Sequence, residues 1–216
     1  MRSATEVPMP DLLAPVLGFV VLMSAAACTS VNEQAAGSRQ TAIQGTPSTG
    51  PQVPDASSLP FDSFFTRRWN TGNDGTTYEP CLAIRGSALE ALGISAGTVS
   101  DAAGSDGQTA RGCYWEYHPT DEGLWAVSQT VGNSDNLVDY KDKYQDRYWL
   151  DDIRIDGRVV GISQSKHLIE CLTYVQSGRA GVTTTVIHHR SPRTSITEVC
   201  DRAIAFTEAT ITKMPR

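Results

Sequence analysis

Five cysteines divide this chain, and their placement restricts its fold more than any other feature. Cys28 follows directly on an apolar run, Leu12 to Ala27, interrupted only by Ser24. The other four, Cys81, Cys113, Cys171 and Cys200, stand in the later part of the chain. An even set of cysteines in an exported chain implies a disulfide framework, so the start of the chain decides how the rest is read.

Residues 1–27 have the form of a signal peptide. The apolar core is short for a membrane-spanning helix, which needs roughly 20 residues, and Pro15 and Gly18 weaken it as a helix. It ends in Ala25-Ala26-Ala27, small residues that leave the chain extended for a peptidase, and Cys28 then offers a thiol for acyl transfer. Ala25-Ala26-Ala27-Cys28 thus resembles a bacterial lipobox, and the expectation is a chain lipidated at Cys28, held by that lipid on the extracytoplasmic face of the cell membrane. Two alternatives stay open: plain secretion with Cys28 a spare thiol, and an uncleaved anchor. Lipidation accounts for the odd cysteine and leaves four to pair.

Residues 28–58 are Ser, Thr, Gln, Gly, Ala and Pro, with only Val31, Ile43 and Val53 as large aliphatics. Such a segment buries too little apolar surface to offset its ordering entropy, and it reads as a disordered tether with a reach on the order of 30 Å. The whole chain carries a formal net charge of −6. An acidic chain is repelled by phosphate, so neither a nucleic acid nor an anionic lipid surface is expected as a partner.

Residues 59–216 are the length of one domain. Phe61, Phe64, Phe65 and Trp69 open it, either as a lid packed on the domain or as an exposed surface for a partner. Asn73-Asp74-Gly75-Thr76 is turn chemistry. Glu79-Pro80-Cys81 starts a helix, and Ser87 with Glu90 reads as the capping box of another, closed at Gly93. Cys113–Tyr117 and Leu124–Val131 alternate as strands about a turn at Asp121-Glu122-Gly123. Asn136 to Tyr148 reads as a helix with Leu137, Tyr140, Tyr144 and Tyr148 on one side. Asp156-Gly157 joins Ile153–Ile155 to Arg158–Ile162 as a hairpin. Glu170–Gln176 and Val182–His189 are a further strand pair, and Ser195 with Glu198 caps a last helix, Ile196 to Thr212. The order α-β-β-α-β-β-β-β-α predicts an α+β domain: an antiparallel sheet of five to six strands with helices packed on it.

Several of these residues carry a family resemblance. Arg68-Trp69-Asn70, Tyr78-Glu79-Pro80-Cys81, Leu89, Leu92-Gly93, Arg111-Gly112-Cys113-Tyr114-Trp115, Cys171 and Cys200 resemble the actinobacterial lipoproteins called domain of unknown function 3558. That resemblance implies a surface lipoprotein without an established enzymatic activity, and it names no catalytic residue. Four cysteines allow three pairings and spacing does not choose among them. Cys81–Cys113 with Cys171–Cys200 is favoured, because each pair would join a helix start to a nearby strand.

The residues supply little chemistry beyond this. His188 and His189 are adjacent on a strand and point to opposite faces, which argues against a shared metal. His167 near Glu170 and Cys171 would suit zinc only if the cysteine were free, and His118 stands alone. Gly161-Ile162-Ser163-Gln164-Ser165 lacks the final glycine of a nucleophile elbow, and no phosphate-binding glycine loop is present. No cofactor and no metal are expected. The leading expectation is a non-catalytic envelope module that binds a protein, peptide or amphiphile. A pocket lined by Trp115, Trp125 and Tyr174 would mark the ligand site. The alternative is a hydrolase acting on cell-envelope material, which needs a nucleophile, a base and an oxyanion donor in one cleft.

Overall fold

Alternation of apolar and polar residues, with turn residues at close intervals, produces one antiparallel sheet. The computed structural model describes residues 58–120, 123–189 and 194–216. The signal segment, Cys28, all of the tether but Ser58, and Asp121-Glu122 of the first hairpin turn lie outside the described residues. The strands are β1 (Ser100–Asp101), β2 (Ala110–Glu116), β3 (Leu124–Asn133), β4 (Tyr148–Trp149), β5 (Ile153–Ile155), β6 (Arg158–Gln164), β7 (Glu170–Ser177) and β8 (Ala180–His189). Their spatial order is β1-β2-β3-β8-β7-β6-β4, with β5 beside β6. The helices are α1 (Pro80–Ala83), α2 (Ser87–Glu90), α3 (Leu137–Lys143) and α4 (Ile196–Thr210).

The architecture is therefore the expected α+β one, with more strands than the five to six anticipated. The additions β1 and β4 hold two residues each, too few for a period of two to show in sequence. Asp156 and Gly157 both take positive φ, 49° and 73°, as the two-residue turn between β5 and β6 requires.

Register sets which side chains share a face. Gln129 pairs with Cys113 on one side and Thr184 on the other, and Thr184 pairs in turn with Thr173 and that with Ile162. This face also carries Trp115, Val127, Val131, Val182, Val186, Val175 and Val160, all buried. Helix α4 buries Val199, Cys200, Ala203, Phe206, Thr207 and Thr210, a helical stripe, and packs against β7 and β8. Phe206 and Trp115 meet with ring centroids 5.4 Å apart. Burial of each such aromatic contributes about 2–3 kcal/mol. A hydrogen-bonded group threads this core: Tyr78 donates to Gln129 Oε1 at 2.6 Å, and Gln129 Nε2 donates to Thr184 at 2.9 Å and Thr210 at 3.0 Å.

Both disulfides join a helix start to a strand. Cys81 of α1 bonds Cys113 of β2, and Cys171 of β7 bonds Cys200 of α4.

Three local expectations change. The Ser87/Glu90 capping box does not form: Gly86, at φ 52°, is the N-cap of α2, and Glu90 turns to Ala96 N–H and to His118. Ser195 does cap α4, accepting from Thr197 N–H, but Glu198 pairs forward with Arg202 at 2.9 Å instead of reaching back. The helix expected over Asn136 to Tyr148 is only seven residues long. Asn136 caps it through Asp139 N–H, Tyr144 leaves it at φ −115°, and Tyr148 pairs with Gln164 as strand β4. A ladder partner for Tyr148 outweighs the helical spacing of its side chain.

Candidate functional site

Several of the residues carrying the family resemblance, Arg68, Trp69, Glu79, Cys81, Arg111 and Gly112, converge on one buried ionic group. Glu79 is the N-cap of α1, and its side chain accepts from Cys81 N–H at 3.2 Å. Arg68 places Nη1 2.8 Å from Glu79 Oε2 and Nη2 3.0 Å from Oε1, and its Nε donates to Asp101 at 3.1 Å. Arg68 Nη2 also donates to the Gly112 carbonyl and lies 3.0 Å from Cys81 Sγ. Arg111 donates to the same Glu79 carboxylate at 3.1 Å and to the Thr76 carbonyl at 3.0 Å, with its guanidinium 3.6 Å from the centre of the Trp69 ring. Burial pushes Arg111 down to about 10, with Glu79 opposing that shift and Arg68 adding to it. At neutral pH the charge remains. Two arginines thus face two carboxylates beside the Cys81–Cys113 bridge. The group fastens the aromatic lead-in to the sheet.

The sequence-derived surface residues do not form one patch. Phe61 is partly buried against the main core, Phe65 is half-buried, Trp69 lies beneath Arg111, and Phe64 alone is fully open at 91% exposure. Trp115 and Trp125 are buried on the α4 face. Trp115 shows an edge to an apolar cavity of about 190 Å³ with Ile84, Leu89 and Val99. Trp125 packs against His188 at 4.2 Å and beneath Arg202. Tyr174 is buried on the opposite face, over Gly181, where any Cβ would collide with its ring. Side-chain direction on alternate strand positions separates these aromatics, so the three do not line a common pocket.

That opposite face holds an opening of its own. Leu137 and Trp149 sit on Gly161 of β6, and Tyr140 of α3 packs on Tyr174 at 4.5 Å, so α3 covers the β6–β7 side. Over β3 and β8 the face carries small residues, and a groove of about 470 Å³ remains. Its floor is Ala110, Thr130, Gly132, Gly181 and Thr183, and one wall is Asp135, Asp139, Tyr140, Lys143 and Tyr144. Thr130 and Thr183 share a hydrogen bond of 2.8 Å across the strands. Tyr140 lies between Tyr174 and Tyr144, at 4.5 Å from each ring, and burial raises its hydroxyl pKa. The Asp139 carboxylate accepts from the Asn136 amide at 2.7 Å, whereas Asp135 is exposed and has no hydrogen bond or ion pair among the described residues.

The two floor glycines are paired across β3 and β8 but have different reasons. Gly181 makes room for Tyr174. At Gly132 an added Cβ would meet only Thr109 O at 3.4 Å and Ala110 Cβ at 3.9 Å, ordinary contacts. The fold does not itself require a missing side chain there. A glycine inside a strand weakens it and marks places where something else approaches the backbone. Gly132, Tyr140 and Tyr144 were not legible as a site. The tyrosines read as a helix stripe, and only the pairing of β3 with β8 puts the glycines opposite each other.

The histidines stay apart. His118 Nε2 pairs with Glu90 at 2.6 Å on the surface, where this bond and the Ala96 N–H hold the Glu90 carboxyl below the usual range. His188 is buried, and His167 and His189 are exposed. No group of three His, Cys, Asp or Glu residues able to hold a metal ion occurs among the described residues. Ser163 is buried, and its Oγ accepts from Arg147 Nε at 2.7 Å, with Arg147 also held by Glu170 at 2.7 Å.

A family model described as "Protein of unknown function (DUF3558)" matches residues 23–213. The chain belongs to that family. No curated protein and no solved structure matches it.

Proposed function

We propose that this chain is an exported lipoprotein of actinobacterial type, acylated on Cys28 and held on the extracytoplasmic face of the cell membrane. Its domain works there as a non-catalytic binding module that takes its ligand in the groove beside α3. The observation that carries the binding reading is Gly132: a glycine next to the end of β3 with room for a side chain, on the floor of a groove of about 470 Å³. Export is supported by the apolar run before Cys28 and by the use of all four other cysteines in disulfides, which persist in oxidising compartments. The family match begins at residue 23, so Cys28 falls within it.

Affinity capture from the native envelope, comparing the natural protein with Gly132→Leu, tests the groove. A bound species retained by the natural protein and lost by Gly132→Leu is the expected result; identical capture by both refutes it. Mass spectrometry of the mature N-terminus tests the anchor. Absence of a diacylglyceryl group on Cys28 refutes acylation and leaves the groove reading standing.

A further inference from the structure

The groove's chemistry restricts what it can hold. A lone lysine, Lys143, faces two carboxylates, Asp135 and Asp139, so an anionic ligand would meet more repulsion than attraction. An acyl chain would offer nothing to the Asp135 carboxylate, exposed on the groove wall, nor to the hydroxyl hydrogen left over in the Thr130–Thr183 pair, at roughly 1–3 kcal/mol for the neutral group and more for the charge where it is covered. An extended peptide needs partners for its own N–H and C=O groups, which it finds at a sheet edge. Here the floor is sheet interior, where β3 and β8 are already paired from Leu124 with His189 through to Asn133 with Ala180. The floor offers a peptide no free backbone ladder.

A hydroxyl-rich ring satisfies all of these conditions. Its C–H faces suit the tyrosine wall and the bare backbone at Gly132, while its hydroxyls can donate to the unpartnered Asp135 carboxylate and exchange hydrogen bonds with Thr130 and Thr183. We propose that the groove between α3 and strands β3 and β8 is a saccharide-binding site in which Tyr144, backed by Tyr140, contacts the sugar ring, Asp135 accepts from a sugar hydroxyl, and Gly132 admits the ring to the floor. This rests on the groove being the ligand site and names the class of ligand.

Saturation-transfer NMR on the full-length protein, with maltotetraose and with chitotetraose as separate probes at about 5 mM, tests it in the range suited to weak binding. Transfer to ring C–H protons of at least one sugar is expected. Tyr144→Ala and Gly132→Leu should each weaken it about 10-fold or more, and Asp135→Asn by roughly 3- to 10-fold. Thr183→Val, which removes a hydroxyl and keeps the shape, guards against loss by misfolding and should also weaken binding. Failure of both sugars to show transfer overturns the saccharide assignment. If tetra-alanine or tetramethylammonium shows transfer that Gly132→Leu abolishes while neither sugar does, the saccharide fails and the groove survives as the ligand site. Sugar transfer that persists undiminished in Gly132→Leu overturns the groove itself.

Discussion

Replacing Glu79 with glutamine keeps the size of the side chain and removes one charge from a buried set of four. In the natural chain Arg68 and Arg111 face Glu79 and Asp101, so the set is neutral. The Glu79 carboxylate accepts three guanidinium bonds, of 2.8, 3.0 and 3.1 Å, together with the Cys81 N–H. An amide offers a single acceptor oxygen, and its NH2 turns two donors toward guanidinium N–H groups that are themselves donors. The variant therefore loses bonds, gains a donor–donor clash and leaves an uncompensated positive charge beside an arginine that is wholly inaccessible to water. Breaking one partner out of a buried ion pair costs about 3–5 kcal/mol. For a domain of this size that lowers Tm by roughly 8–15 °C. Urea unfolding followed by tryptophan fluorescence reads the change, because Trp69 lies against Arg111 and Trp115 in the core. A second variant sharpens it: Glu79→Gln with Arg111→Met restores neutrality with an apolar chain of similar reach and should recover part of the loss, as contacting residues couple. A Glu79→Gln destabilisation below about 1 kcal/mol would refute the claim that this ionic group holds the lead-in to the sheet.

Other outcomes follow from the same structure. Gly112→Ala places a Cβ against the Gln129 carbonyl oxygen and 2.7 Å from Thr130 Cα, contacts that backbone cannot relieve cheaply, so a loss of about 2 kcal/mol or more is expected in denaturant titration. Replacing Cys171 and Cys200 together by alanine opens a loop with a sequence separation of 29 and should cost roughly 3–4 kcal/mol by the chain-entropy model, measured against the natural protein under non-reducing conditions. On the alkaline side, burial raises the hydroxyls of Tyr78, Tyr140 and Tyr174, and raises Tyr117 to about 12. Each is favoured in its neutral form by folding, so its contribution is whole below the ordinary tyrosine value near 10 and is lost as pH rises through the folded value. Arg111 works in the opposite sense, since burial lowers it to about 10 and the unfolded chain then holds the extra proton. Tyr114 is raised and Arg158 lowered in the same way, so with five tyrosines against two arginines urea midpoints should fall from about pH 10 upward, and a midpoint that rises there would contradict the burial of these hydroxyls.

The elements legible in sequence were those with enough residues to show a period or a two-residue turn. β2, β3, β6, β7, β8 and α4 all fall where alternation, Asp156-Gly157 and Ser195 put them, within the usual uncertainty at element ends. The disulfide pairing was reachable because each bridge joins two cysteines consecutive in the chain, one on a helix and one on a strand. β1 and β4 were not, because two residues carry no periodicity. α3 is shorter than its tyrosine spacing predicts, because Tyr144 and Tyr148 keep helical spacing while Tyr148 pairs with β6 as strand β4. A pocket lined by Trp115, Trp125 and Tyr174 together does not arise, because alternate strand positions send Tyr174 to the side opposite the other two.

What the sequence determined by itself is local: where strands alternate, where turns fall, which helix has an apolar stripe, and how many cysteines are left to pair. Those depend on residues a few positions apart, whose side-chain directions follow from backbone geometry alone. What only the tertiary structure decided is which faces meet. Placing β8 between β3 and β7 sets Gly132 opposite Gly181 and Thr130 opposite Thr183, and the short α3 covers β6 and β7 but not β3. The groove exists because those long-range choices leave small side chains uncovered. Glu79 likewise serves Arg68 and Arg111 only once β2 has brought Cys113 to Cys81, since a buried carboxylate must find its partners wherever the packed chain supplies them.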